Sequence, residues 1–253
     1  MRFFEPMWII ISTYTVLPAP RFEWNEKSMR FSICFLPLVG LIIGAALYLW
    51  AWLSETLGID GVLFAAAAAA LPLLLTGGIH MDGFMDTADA LASNQPRERK
   101  LAILKDSHTG AFAVIYCGIY LILSFGLYHA LFQTQVLPVV CLGFILSRAL
   151  SALTALTLPN ARKVGMLNAF TEHAQKRAAV AAMLIVVLLS ILFMVWVAPS
   201  AGGFAACFSL LAFLLYRRMA MKQFGGVTGD TTGFFLQTCE LALLLGAYVG
   251  SLL

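Results

Sequence analysis

A chain of 253 residues that is 61% hydrophobic, 11% charged and +0.88 in mean hydropathy has too little charge to cover a soluble domain of its size. Several of its apolar runs reach the roughly 18 residues needed to cross a bilayer, so composition points to a polytopic membrane protein. The net charge of +3 favours no class of partner and gives no sign of nucleic acid, and the five cysteines form no CxxC pair, which excludes a disulfide or zinc framework.

In chain order, the first apolar stretch is MWIIISTYTVL, interrupted at its start by Glu5 and Pro6. It is too short to span, and no small-residue cleavage site follows it, so an interfacial or re-entrant segment is expected rather than a signal peptide. Seven longer apolar windows follow, near 35–53, 61–79, 111–131, 136–158, 180–198, 203–219 and 234–252. Each is expected to be a helix, because a helix satisfies its own backbone polar groups in lipid. The expected fold is all-α, a single membrane domain over 1–253 with about seven transmembrane helices.

The basic residues order these spans. Arg2, Arg21, Lys27 and Arg30 precede the first, and Arg97, Arg99, Lys100 and Lys105 follow the second. Arg162, Lys163, Lys176 and Arg177 follow the fourth, and Arg217, Arg218 and Lys222 follow the sixth. Of the 16 Lys and Arg only Arg148 stands apart, and the intervening connections have none. By the positive-inside rule the N-terminus of this multi-pass chain is cytoplasmic and the C-terminus lies outside.

Every polar constellation falls on the cytoplasmic side. In GGIHMDGFMDTADALAS, Asp82, Asp86 and Asp89 stand at i, i+4 and i+7. If the second span continues inward as a helix, they lie within about 60° on one face. Carboxylates so placed repel one another unless a cation sits among them, and hard oxygen donors favour Mg²⁺ or Mn²⁺. His80 is expected on the opposite side, away from the ligands. A solvated acidic helix end is the plain alternative.

The next loop, NQPRERKLAILKDSHTGAF, has the pattern of a short amphipathic helix lying on the membrane from Pro96 onward. Lys105, Asp106 and Ser107, beside His108, Thr109 and Gly110, have the chemistry to hold a phosphate and a metal together; a charged turn is an equal reading. In FGGVTGDTTGFFLQTCELA, Gly225, Gly226, Gly229 and Gly233 allow a tight turn whose N–H groups point at one anion. Thr228 belongs to the same turn, and Asp230 there caps a helix or binds a metal. Arg148 and Glu240 within spans face the bundle interior, as substrate contacts or as an ion pair. Asn168 in LPNARKVGMLNAF is a weaker substrate-binding candidate.

Carboxylates, glycine turns and cations on one face imply metal-assisted phosphoryl transfer on a diphosphate. No GxxxxGK[ST] motif is present, which argues against a nucleotide-driven motor.

With these motifs together, the chain resembles the cobalamin synthase family, the adenosylcobinamide-GDP ribazoletransferases. The resemblance runs through TVLPAPR, GGIHMDGFMDTADAL, LKDSHTGAFA, the SRAL around Arg148, VGMLNAF and GGVTGDTTGFFLQTCEL. The family often carries glycine where this chain has Ala90, Ala111 and Ala113. The resemblance implies that α-ribazole, or its 5′-phosphate, attacks the cobinamide-linked phosphorus of adenosylcobinamide-GDP and expels GMP, with Mg²⁺ as cofactor, in a multi-pass protein of the bacterial inner membrane whose site faces the cytoplasm.

On that basis Asp82, Asp86 and Asp230 are expected to hold the metal, and Asp89 or Asp106 to accept the proton. Asp89 is favoured because it would lie furthest toward the cytosol. Lys105, Ser107, Arg148, Asn168, Gly226, Thr228, Gly229 and Glu240 are expected to bind substrate. The acidic pattern is also loosely like that of CDP-alcohol phosphatidyltransferases, and a transporter using Arg148 and Glu240 is the reading from another class. Membrane lipid surrounds the chain in every case, and the sequence leaves a homo-oligomer open.

Overall fold

The computed structural model of the protein describes residues 4–20, 22–106 and 108–253. Arg2, Arg21 and Ser107, invoked above, lie outside the described residues. Helix α1 (Glu5–Tyr14) is followed by α2 (Glu26–Met29), a 3₁₀ turn (Ser32–Phe35), α3 (Leu36–Leu57) and α4 (Gly61–Thr76). Then come α5 (Ile79–Ala92), α6 (Arg97–Ile103), α7 (Ala111–Leu131) and α8 (Leu137–Thr157). The chain finishes with α9 (Met166–Glu172), α10 (Lys176–Val197), α11 (Pro199–Gln223) and α12 (Gly229–Ser251). Among the described residues there is no strand, only an isolated bridge between Asn160 and Val227.

Among the described residues six helices are long and apolar enough to cross a membrane: α3 with the turn before it, α7, α8, α10, α11 and α12. Helix α8 is the central post, with 83% of its apolar window inside the protein against 22% for α7 and α10. The outward faces of α7 and α10 carry exposed residues such as Ile122, Leu188 and Trp196, as a lipid-facing surface requires. Helix α3 reaches α8 through Gly40 and Gly44, where any side chain would strike the backbone of Phe144 or Cys141. Small residues let backbones approach in a setting where lipid supplies no hydrophobic drive.

The second span does not continue inward. Helix α4 stops at Gly77 and Gly78, whose φ of 62° and 76° put both in the left-handed region that glycine enters without strain. Gly78 N–H donates to the Leu73 carbonyl, closing the helix, and α5 leaves at 96° to α4. Helix α4 alone rises about 24 Å over its 16 residues. It makes the seventh crossing only when joined to α5, which runs across the end of the bundle.

The four basic segments meet at that same end. Arg30 Nε donates to Gln175 Oε1, and Val16 N–H to the Leu75 carbonyl. Lys100 Nζ donates to Gln223 Oε1 at 2.6 Å, and residues 159–161 pair with Val227. The connection at Gly61 packs on His129 and Phe132 at the opposite end. Helix α6 corrects one expectation, because Leu101 and Ile103 pack with Ala90, Leu104 and Phe224. Its apolar side faces protein rather than membrane.

Candidate active site

At the end where the basic segments gather, a cavity of about 220 Å³ opens between α1, α5, α8, α9 and the start of α12. Asp82, Asp230, Arg162, Asn160 and Asn168 line one part of it; Ile10, Ile33, Leu36, Ala152 and Phe170 line another. It is therefore polar at one side and apolar at the other.

Helix α5 and the first turn of α12 carry the acids, and two glycines bring them together. A Cβ at Gly83 would stand 2.7 Å from the Asp230 carbonyl oxygen, and one at Gly233 2.9 Å from that of His80. Without side chains at these positions α5 and α12 lie backbone to backbone, and Asp230 joins the row of Asp82, Asp86 and Asp89. The electrostatics record this convergence. Burial, followed by the charges of Asp82, Asp230 and Asp89, pushes the Asp86 carboxyl up to about 6, against the opposing pull of Arg162. Arg162 Nη1 donates to Asp230 Oδ2 at 3.1 Å, and its Nη2 to the Leu101 carbonyl at 2.8 Å. One guanidinium thus ties α6 and α12 to the connection after α8.

Asp89 lies at the far end of the acid row and does not line the cavity. Gly110, at the start of α7, packs directly on its carboxylate, where any side chain would collide. Asp106 is not brought to the row: it is over half exposed and accepts from His108 N–H at 3.0 Å. Those hydrogen bonds hold its carboxyl below the usual range. Lys105 is likewise exposed and outside the cavity.

The first part of the glycine turn, Gly225 to Val227, serves packing. The N–H groups of Gly225, Gly226 and Val227 all donate to protein carbonyls, those of Met221, Ala220 and Pro159. A side chain at Gly226 would strike the Pro159 carbonyl, so this glycine permits the pairing with residues 159–161. Thr228 is the N-cap of α12, its Oγ1 accepting from Thr231 N–H at 3.1 Å. Thr228 and Gly229 still border the cavity, with Asp230 beside them in the first turn.

Arg148 and Glu240 pair with each other inside the bundle, 1% and 5% exposed, and neither lines the cavity. Of the two readings open for them, geometry supports the internal ion pair over direct substrate contact.

Asn168 reaches the cavity as expected, and with it come residues the sequence did not single out. Asn168 Nδ2 donates to Glu172, which turns its Oδ1 toward Asn160 Nδ2 at 2.9 Å. Asn160 Nδ2 also donates to Thr171, so its own Oδ1 is left buried without a partner among the described residues. His80, two residues before Asp82 and so on the other side of α5, also lines the cavity. It is 4% exposed and stacks on Tyr14 with ring centroids 5.6 Å apart. Burial, then the charge of Arg148, holds its imidazole down to about 3, so the ring is neutral. Arg162 and Asn160 were visible only as part of a basic connector, and Tyr14 only as part of an apolar stretch.

The donor set is all carboxylate oxygen, which suits a hard divalent cation. Among the described residues no three His, Cys, Asp or Glu side chains form a ready metal cage. Mg²⁺ does not require one, since it keeps several waters and binds through one or two carboxylates plus substrate phosphates. Burial first, and then the neighbouring carboxylates, raise the Asp86 carboxyl, and a cation among these acids would offset the repulsion between them. The residues present therefore fit this group.

Comparison with known proteins agrees with the motifs. An adenosylcobinamide-GDP ribazoletransferase of Lachnoclostridium phytofermentans is 39% identical over 241 residues, covering 95% of this chain and 92% of that protein. Proteins of the same name from Desulfitobacterium hafniense and Pseudomonas fluorescens are 36% and 33% identical, each covering at least 95% of both chains. No solved structure matches the chain. The family model described as cobalamin-5-phosphate synthase matches residues 6–248, and the chain belongs to that family.

Proposed function

We propose that the chain is an adenosylcobinamide-GDP ribazoletransferase, joining the cobinamide and ribazole parts of a cobalamin at the acidic cavity. The observation that carries this reading is the meeting of the α5 acids with Asp230 and Arg162 at the mouth of a cavity with an apolar wall. It is the arrangement a diphosphate and a nucleoside would need together.

In this reading a ribosyl hydroxyl of α-ribazole or its 5′-phosphate attacks the cobinamide-linked phosphorus of adenosylcobinamide-GDP. A new P–O bond forms, the bond to GMP breaks, and GMP leaves with the electron pair. Asp82, Asp86 and Asp230 would hold Mg²⁺, which when bound would supply charge neutralisation for the diphosphate. Arg162 adds a fixed cation at the same place. Asp89, the remaining acid of the row, takes the proton from the attacking hydroxyl, with its carboxylate positioned against Gly110. The cavity faces the cytoplasm of a bacterial inner membrane, because the basic segments surround it.

The test is GMP release by purified protein given adenosylcobinamide-GDP, α-ribazole phosphate and Mg²⁺. Turnover should require all three, and Asp82→Asn or Asp86→Asn should abolish it while the protein stays folded. Asp89→Asn should retain donor binding and lose about 10²–10⁴-fold in kcat. Reporter fusions after Gly58, Gln133 and Ser200 should read as periplasmic, and one after Asn94 as cytoplasmic. No GMP release under any of these conditions would reject the transferase reading.

A further inference from the structure

The apolar side of the cavity is lined and backed by aromatic rings. His80 stacks on Tyr14 at an interplanar angle of 13°, Tyr14 packs on Phe170 at 5.9 Å, and Trp24 backs Phe170 at 5.3 Å. Neither ring nitrogen of His80 has a protein partner among the described residues, although the side chain is 96% buried. Buried polar atoms are nearly always hydrogen-bonded, so an imidazole placed this way in a cavity wall is a group prepared for a ligand. Asn160 Oδ1, on another residue lining the cavity, is buried in the same condition.

The size and lining of the space select among the parts of the two substrates. A phosphate or a sugar gains little from Ile10, Ile33, Leu36 and Phe170, and a corrin ring far exceeds about 220 Å³. A flat bicyclic nitrogen heterocycle fits both the volume and the aromatic walls; the donor's purines carry polar groups on several edges, so among the bicyclic rings of the two substrates the acceptor's benzimidazole suits these apolar walls best. It also carries one in-plane ring nitrogen that accepts a single hydrogen bond.

We infer that the cavity beside His80 is the subsite for the benzimidazole ring of the ribazole acceptor, with His80 donating to its free ring nitrogen. This rests on the transferase reading. Asp82, two residues later on α5, lines the same cavity, so a nucleoside held here lies beside the first acid of the row. Asn160 Oδ1 is then available to a ribosyl hydroxyl. His80 acts in recognition and positioning of the acceptor and takes no part in handling the donor.

Two analogues of one shape test this on the wild-type protein: 1-methylbenzimidazole, which keeps the accepting nitrogen, and 1-methylindole, which has C–H there. Both should compete with α-ribazole in GMP release, the benzimidazole about three- to tenfold more strongly, as one hydrogen bond allows. In His80→Leu that preference should vanish. The KM for α-ribazole should rise by a similar factor, while the KM for adenosylcobinamide-GDP and the Mg²⁺ requirement change less than twofold. His80→Gln, which keeps a donor, should recover part of the preference. Equal inhibition by the two analogues in the wild type overturns the assignment, as does an equal loss for donor and acceptor in His80→Leu. Wild-type GMP release, scored in the same assay, reports separately on the transferase reading.

Discussion

Arg162 in the connection after α8 donates to Asp230 at the start of α12 at 3.1 Å, so a cation already neutralises one acid of the site. A metal bound by Asp230 must compete with that guanidinium. Arg162→Ala should therefore bind Mn²⁺ more tightly than wild type in the absence of substrate, measured by the loss of free-ion signal in electron paramagnetic resonance. The same variant should bind adenosylcobinamide-GDP roughly ten- to hundredfold more weakly, the range for a lost charge-assisted hydrogen bond. Unchanged Mn²⁺ affinity would mean that Asp230 is not a ligand.

Gly83 and Gly110 are required by what they touch. Gly83→Ala forces a methyl against the Asp230 backbone, and Gly110→Ala forces one against the Asp89 carboxylate. The first should separate α5 from α12 and lower stability by about 1–3 kcal/mol, the usual cost of overpacking. The second should leave thermal stability nearer wild type and reduce kcat, because only an acid side chain must move. Thermal unfolding in detergent beside steady-state kinetics separates the two.

Asp86 makes stability depend on pH in a stated direction. Its folded-state carboxyl is raised to about 6 from an ordinary value of 3.8, so the folded protein binds this proton more tightly than the unfolded chain. The resulting stabilisation is complete below about 4 and is lost as pH rises through about 6. In EDTA, wild type should melt at a higher temperature at pH 5 than at pH 7.5, relative to Asp86→Asn measured at the same two values. The variant should also melt above wild type at pH 7.5, and added Mg²⁺ should reverse that order. A pH dependence identical in both proteins would remove Asp86 as its source.

The Arg148–Glu240 pair predicts loss of stability rather than loss of affinity. Removing one member leaves the other charged and buried, which typically costs 3–5 kcal/mol. Glu240→Gln and Arg148→Met should each unfold at lower denaturant, and the double variant should recover much of the loss. The donor KM of whatever folded protein remains should stay near wild type. A large rise in KM without destabilisation would return these residues to the substrate site.

Much of this architecture was legible from local pattern. Apolar runs and the alternation of basic segments marked the spans, because lipid demands continuous helices and the K/R bias is a property of each loop alone. The spacing of Asp82, Asp86 and Asp89 placed them on one face, because helical periodicity is also local. The Gly77–Gly78 break was not legible: glycine in an apolar run serves packing as readily as bending, and only the chain on either side decides. The same ambiguity hid Gly83 and Gly233, whose work is to admit another helix, and the turn at Gly225 and Gly226, whose N–H groups are spent on protein carbonyls. His80 could be read as lying on the face of α5 opposite the acids, but nothing local showed that a cavity reaches it. Tyr14, Asn160 and Arg162 carry no motif of their own. They become a site only when α1, the connection after α8 and the start of α12 close on α5. Periodicity and charge bias act over a few residues and can be read along the chain; a cavity is made of distances between segments up to about two hundred residues apart, and those distances exist only in the packed bundle.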